Sequence, residues 1–401
     1  MKLRIAAPVS AEDQVWARRM ENFREPTCFR ATIIEAVAMQ LTVSQPQVHE
    51  ARWWETMADG RLHCYLCPRH CHIGEGQHGF CFIRKNDAGR LIQLGYGRPA
   101  AVAMDPVEKK PLNHFFPGTK ILSMGTAGCN MGCFFCQNWD ISKAKADQVN
   151  SVSLRPQDVV TVALEHRAPH IAFTYNEPTI WGEFVIDIAR EAHDAGINTV
   201  MVSNGYITRE AFFDIYRYID AANIDLKAFT ETFYSKITLT HLKPVLETLR
   251  WLRHETSVWF EITNLIIPTL NDGDSEFKEL CDWVLENLGD GVPLHFTAFH
   301  PDFKLQDKPP TPPETLHRAR RIAREMGLKY VYEGNIFSDG GNTICPGCKQ
   351  VVITRSWHSV LANRLRHGCC TSCGTRIPGV FTRSEAEKRR EWASTLAPAT
   401  A

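Results

Sequence analysis

Cys129, Cys133 and Cys136 stand within eight positions as C-x3-C-x2-C in the stretch "GTAGCNMGCFFCQNWD", and no fourth cysteine is near. A closed structural zinc site takes four ligands. A ferredoxin-type cluster held wholly by protein also takes four. Residues Gln137 to Glu165 offer neither cysteine nor histidine, and His114 lies across a predicted strand. At i, i+4 and i+7 the three thiols would share one face of a helix. Gly125, Gly128, Asn130 and Gly132 argue against a helix there. Glycines suit a loop whose backbone passes close to a bulky group. A 4Fe–4S cluster resolves the count, with three irons held by thiolates and the fourth left open.

An open iron can bind a second molecule and pass it an electron. S-adenosylmethionine (SAM) offers an amino nitrogen and a carboxylate as chelating groups, and a sulfonium that accepts an electron and breaks to a carbon radical. That chemistry belongs to the cofactor, and the protein positions and shields it.

Eleven of the fourteen cysteines fall into three clusters, which points to metal binding in a reducing compartment rather than to disulfides. Cys345, Cys348, Cys370 and Cys373 form two C-x2-C knuckles with zinc-ribbon spacing, and zinc is the expected metal. So small a ribbon would take its folding energy from the metal. Cys64, Cys67, Cys71 and Cys81 stand as C-x2-C-x3-C-x9-C. This spacing leaves zinc and a second iron–sulfur cluster both open, with zinc the first choice. His63, His70, His72 and His78 are alternative ligands there. Cys28, Cys281 and Cys369 are left over, and Cys281 in "FKELCDWVLENL" reads as a buried thiol.

The elements that must position the central triad are short apolar strands alternating with amphipathic helices. The strands are Lys120–Met124, His170–Tyr175, Asn198–Gly205, Ala222–Ala228, Val258–Pro268 and Pro293–Pro301, with a short seventh at Lys329–Asn335. This alternation indicates parallel βαβ units in an α/β fold, a partial (β/α)6 TIM-type barrel. Barrel sites form at the carboxyl ends of the strands. Here those ends read "SMGTAGC", "TYNEP", "SNG", "DLK", "EITN" and "HFTAFH".

The expected division is an N-terminal extension, partly disordered, over 1–50; a Cys-rich N-terminal module over 51–115; the partial barrel over 116–338; a zinc-ribbon-like module over 339–382; and a charged tail, a frayed helix at most, over 383–401. Residues before Met39 hold no cluster ligand, and a chain starting there is expected to fold.

The 401 residues carry 45 basic and 45 acidic side chains. This balance gives no general attraction to nucleic acid or to an anionic membrane. No apolar run is long enough to span a bilayer, and the N-terminus lacks a signal-peptide pattern. The expected location is the cytoplasm.

With Phe135 before the last cysteine, the C-x3-C-x2-C loop after the first barrel strand resembles the radical SAM superfamily. The stretches "GTAGCNMGCFFCQNWDIS", "TYNEPT" and "IDLKAF" resemble its branch of glycyl-radical-enzyme activases, such as pyruvate formate-lyase activating enzyme. The flanking "CYLCPRHC", "DPVEKKPLNHFFPG" and "GNTICPGC" resemble the AmmeMemoRadiSam-system radical SAM group, over about Ala51 to Phe381.

The resemblance implies a 4Fe–4S cluster on Cys129, Cys133 and Cys136, SAM beside it, and a 5′-deoxyadenosyl radical that abstracts hydrogen from an unidentified substrate. It also implies a low-potential electron donor such as flavodoxin or ferredoxin, and in the activase branch a protein substrate. Where activases show Gly-Gly-Glu-Pro, this chain has Tyr175, Asn176, Glu177 and Pro178; the acid and proline match and the glycines do not. Asn176, Glu177 and Asn204 are therefore SAM-binding candidates, with Phe135 and Trp139 placed to flank adenine and Glu261 a weaker candidate. Asn264, His295 and His300 are weaker still. Asp225 and Lys227 share one face of the fourth strand and are the candidate catalytic pair; a structural ion pair in the barrel mouth is the plain alternative. The rival classes are an iron–sulfur electron-transfer protein and a zinc-ribbon interaction protein, both without SAM chemistry.

Overall fold

The structure is a computed structural model and describes residues 48–395. Met39, the apolar stretch before it and nearly all of the expected extension lie outside the described residues.

A small N-terminal module comes first. Strands β1 (Trp54–Thr56), β2 (Leu62–Cys64) and β3 (Cys71–Ile73) form an antiparallel sheet, and β4 (Arg84–Asp87) pairs with β5 (Arg90–Gln93). Then β6 (Ala101–Pro106) runs antiparallel to β7 (Lys120–Gly125). After β7 the chain alternates: α1 (Pro156–Glu165), β8 (His170–Phe173), α2 (Gly182–Asp194), β9 (Asn198–Ser203), α3 (Arg209–Tyr216), β10 (Ala221–Asp225), α4 (Leu242–Glu255), β11 (Trp259–Ile266), α5 (Asp274–Asn287), β12 (Leu294–Ala298), α6 (Pro313–Glu325) and β13 (Val331–Gly334). The sheet has eight strands in the order β13-β12-β11-β10-β9-β8-β7-β6, parallel from β7 to β13. β13 and β6 do not pair, so the barrel is open. The antiparallel β6 is an addition to the expected parallel set.

The residues account for these elements. All four residues of β8, "HIAF", are buried, as a parallel strand covered on both faces requires. Helix α2 buries Phe184, Val185, Ile188, Ala189 and Ala192 along one side. Full burial of a side chain such as Phe184 stabilises by about 1.5–3 kcal/mol. The helix ends where Gly196 turns left-handed at φ +72°, with Gly196 N–H donating to His193 and Ile197 N–H to Ala192, a Schellman stop.

The N-terminal module is tied to the barrel by a buried ion pair. Arg84 Nη2 on β4 meets Glu183 Oε1 on α2 at 2.6 Å, and both side chains are almost wholly buried. Arg52 N–H donates to the same carboxylate at 2.7 Å. At the other end β15 (Val351–Ser356) and β16 (Ser359–Asn363) form the C-terminal module with the short β14 (Thr343–Ile344), β17 (Leu365–Arg366) and β18 (Cys369–Cys370). Arg355 from β15 reaches the carbonyl of Asn113, below the barrel, at 2.7 Å. The segment expected as a tail forms helix α7 (Arg383–Thr395). It docks: Ala386 is buried, Arg389 Nη1 donates to Ser257 O at 2.6 Å, and Arg390 pairs with Asp220 at 2.5 Å.

Candidate active site and metal centres

The three cysteines lie on the loop after β7, at the carboxyl end of the parallel sheet. Neighbouring strand ends hold this loop through backbone and amide groups. Asn176, after β8, donates from Nδ2 to the carbonyls of Thr126 at 2.9 Å and Gly128 at 2.7 Å. Asn204, after β9, donates to Asn130 Oδ1 at 2.8 Å, and Asn130 Nδ2 donates to Tyr206 O at 2.7 Å. From the segment after β10, Thr238 O accepts from Gly132 N–H at 2.8 Å. From the segment after β12, Lys304 N–H donates to Phe134 O at 2.9 Å. A Cβ on Gly132 would stand 2.7 Å from Leu239 Cδ1, so that side chain would have to shift.

The thiol environments are mixed. Cys133 is buried, while Cys129 and Cys136 are half-buried. Burial pushes the Cys129 thiol up to about 12, with Lys143 pulling the other way. Burial likewise raises Cys133, and Lys227 opposes it. A bound metal cluster reverses such a balance, because its charge favours thiolate. Among the described residues, the C-terminal tetrad is the one set of three or more Cys, His, Asp or Glu ligand atoms that all lie within 4.8 Å of one another. The central triad is therefore too spread for one shared ion. Three separated thiols on a loop that carries no fourth cysteine fit a multi-iron cluster with an open position.

Asp225 and Lys227 come together beside the triad. Lys227 Nζ sits 2.9 Å from Asp225 Oδ2 and 5.7 Å from the centre of the Phe135 ring. Burial works most strongly against the Lys227 charge, but Asp225, Cys133 and Tyr234 together outweigh it and hold the pKa above the usual lysine range. Phe135 is buried and packs near Phe233, ring centres 6.0 Å apart. Trp139 is 47 % exposed and stacks on Phe303 at 5.8 Å. The structure thus separates the environments of the two aromatics.

Glu177 is 1 % exposed. Its carboxylate accepts from Thr179 N–H at 2.9 Å, Ser203 Oγ at 2.8 Å and Asn204 N–H at 2.7 Å. It ties the ends of β8 and β9 together, and burial raises its pKa against those donors. Tyr175 occupies a left-handed conformation, φ +73°, where the absent glycine would sit at no steric cost. Its hydroxyl donates to Asp105 at 2.9 Å, and Lys110 lies 4.7 Å from its ring centre.

Glu261 lies elsewhere. Its oxygens accept from the backbone of Asn113 and His114 at 2.9 and 2.7 Å, and His295 Nε2 stands 2.7 Å away. Asn113 and His114 belong to the segment between β6 and β7, at the amino ends of the parallel strands. Glu261 and His295 therefore close the bottom of the sheet, opposite the triad. Asn264 donates to Leu226 O at 2.8 Å, and His300 is an exposed neighbour of Asp302. Sequence reasoning passed over Asn130; its place between two of the cysteines was the available signal.

In the C-terminal tetrad, Cys345 and Cys373 sulfurs are 3.5 Å apart, and those of Cys348 and Cys370 are 3.7 Å apart. Four thiols this close fit one tetrahedral ion.

The profile of the Radical SAM superfamily matches residues 124–284. An uncharacterised protein of Methanocaldococcus jannaschii is 44% identical over 333 residues, covering 82% of this chain and 99% of its own. The pyruvate formate-lyase 1-activating enzyme of Escherichia coli K12 is 22% identical over 235 residues, 54% of this chain and 93% of its own. The solved structure of a radical SAM methyltransferase from Sphaerobacter thermophilus overlaps 82% of this chain and 96% of its own, with TM-score 0.45 and 14% identity.

Proposed function

The chain belongs to the radical SAM superfamily, and from that premise we propose that it is an activase-like or modifying enzyme that abstracts hydrogen from a protein or small-molecule substrate. A 4Fe–4S cluster on Cys129, Cys133 and Cys136, with SAM bound, supplies the 5′-deoxyadenosyl radical for that abstraction when reduced by a low-potential donor of flavodoxin or ferredoxin type. The observation that carries the reading is the triad itself: three thiols on the one loop after β7, spread apart, with no fourth cysteine on that loop.

The chain's own side chains do the positioning. Asn176, Asn130 and Asn204 lock the loop to the ends of β8 and β9. Glu177 ties those two strand ends together. Lys227, fixed by Asp225, sets a positive charge beside Cys133 and favours its thiolate. Lys143 does the same for Cys129 and anchors on Met131 O at 2.7 Å. Trp139 and Phe303 stack at the outer edge and limit access of water.

No helix of the described residues is long and apolar enough to cross a membrane. The C-terminal tetrad can hold a metal, and zinc is the ion its geometry suits. The test of the reading is anaerobic incubation with SAM, reductant and candidate partners, followed by mass spectrometry of 5′-deoxyadenosine and of the partner.

A further inference from the structure

Cys64, Cys67, Cys71 and Cys81 line a single cavity, together with Arg84 and Asn130. The β2–β3 hairpin and the stretch before β4 bring them there. Cys64 ends β2 and Cys71 begins β3, directly opposite each other in the antiparallel register. Cys67 sits in the connection between these strands, and Cys81 lies before β4. Cys64, Cys67 and Cys81 are buried and Cys71 is half-buried. The four histidines of this region do not line the cavity. His63 is engaged outside it, 2.8 Å from Glu55 and 3.0 Å from His70.

The spacing of the sulfurs separates two kinds of centre. One tetrahedral zinc at about 2.3 Å from each sulfur brings all four sulfurs to about 3.8 Å from one another. The C-terminal tetrad meets this, with sulfurs 3.5 and 3.7 Å apart. The N-terminal thiols do not converge within 4.8 Å as a set of three or four. An iron–sulfur cluster spreads its four thiolates over two or four irons and so keeps the set apart.

A second observation is independent of the sulfurs. The Arg84 side chain is 1 % exposed. Its Nη1 donates to Arg52 O at 2.9 Å and its Nη2 to Glu183 at 2.6 and 2.8 Å. Its Nε has no partner among the described residues. A buried unpartnered donor costs about 1–3 kcal/mol. Sulfurs of an iron–sulfur cluster accept N–H hydrogen bonds, and Arg84 lines the cavity that would hold them.

We propose that Cys64, Cys67, Cys71 and Cys81 hold an iron–sulfur cluster rather than a single zinc ion. With four protein ligands every thiolate position is filled, so this centre exchanges electrons and does not bind SAM. It adjoins the loop of the central triad. A Cβ on Gly128 would stand 2.0 Å from the carbonyl oxygen of Cys81, and Arg69 Nε donates to the carbonyl of Asn130 at 2.5 Å. The proposal stands apart from the SAM reading, because it rests on other residues.

The test uses full-length protein purified anaerobically. Anomalous scattering measured on either side of the iron and zinc edges locates each metal in crystals. Iron at Cys64, Cys67, Cys71 and Cys81 is the expected result; zinc there, or no metal, overturns the proposal. A Cys129→Ala/Cys133→Ala/Cys136→Ala variant gives a second measurement. It is expected to retain iron and acid-labile sulfide, and to lose both when Cys64→Ser and Cys67→Ser are added. A folded triple variant free of iron overturns the proposal, and if that variant does not fold the anomalous maps of the unmodified protein decide.

Discussion

Asn176 Nδ2 donates to the carbonyl oxygen of Gly128 at 2.7 Å, across 48 positions of sequence and one residue before Cys129. The same nitrogen holds Thr126 O at 2.9 Å. One amide at the end of β8 therefore fixes the approach of the chain to the first thiol. Replacing it with Asn176→Ala leaves two carbonyls without this donor, at about 1–3 kcal/mol. The expected outcome is less iron retained per chain after anaerobic gel filtration, with a lower melting midpoint. Unchanged iron and midpoint would show that the loop holds its shape without Asn176.

Arg84 and Glu183 join the N-terminal module to α2 in a buried pair. Removing one partner strands a buried charge, at about 3–5 kcal/mol. Glu183→Ala is expected to destabilise by that amount in denaturant unfolding. The double variant Arg84→Met/Glu183→Leu is expected to recover much of the loss. Equal destabilisation by single and double variants would mean that the charges themselves do not set the cost.

Two buried histidines set an acid limit on stability. Burial lowers His114 to about 4 and His170 to about 3. His114 Nδ1 stands 2.6 Å from Pro378 O, so Nδ1 carries the proton and Nε2 accepts from the Tyr332 hydroxyl at 2.5 Å. The unfolded chain takes up these protons below about pH 6.5, and the folded chain does not until much lower. Stability from these groups is full above pH 6.5 and drains as pH falls toward 4 and 3. Between pH 6.5 and 5 each contributes a loss of about 2 kcal/mol. Denaturant melts at pH 7 and pH 5 should show this slope, and His114→Gln should flatten it. An equal slope in the variant would remove His114 as its source.

The C-terminal tetrad is expected to bind one zinc ion. Cys348→Ala/Cys373→Ala should release zinc while leaving the visible absorbance of the central cluster in place. Iron bound at this tetrad in anaerobic protein would contradict the assignment.

The strands of the sheet were legible because each is a short apolar run, as in "HIAF", bounded by polar ends. The triad was legible because its ligand count and spacing are local. Glu261 was read as a candidate because it is a polar residue on a barrel strand. A strand position does not reveal which end of the sheet it faces, and the partners that fix it, Asn113 and His295, are far away in sequence. The pairing of β6 with β7 is likewise a contact made in space, since "AVAMDP" carries no crossover helix. The docking of α7 depends on Arg389 and Arg390 finding Ser257 and Asp220, more than a hundred positions earlier. Charged residues at helical spacing look the same on a free tail.

SAM cleavage is assigned to the triad of Cys129, Cys133 and Cys136. The direct measurement is 5′-deoxyadenosine formed by anaerobic, iron-loaded protein given SAM and a low-potential reductant, for the unmodified chain and for Cys129→Ala, Cys133→Ala and Cys136→Ala. The unmodified chain is predicted to form 5′-deoxyadenosine and methionine, and each variant to form none. Full cleavage by any one variant, or none by the loaded unmodified chain, would contradict that assignment.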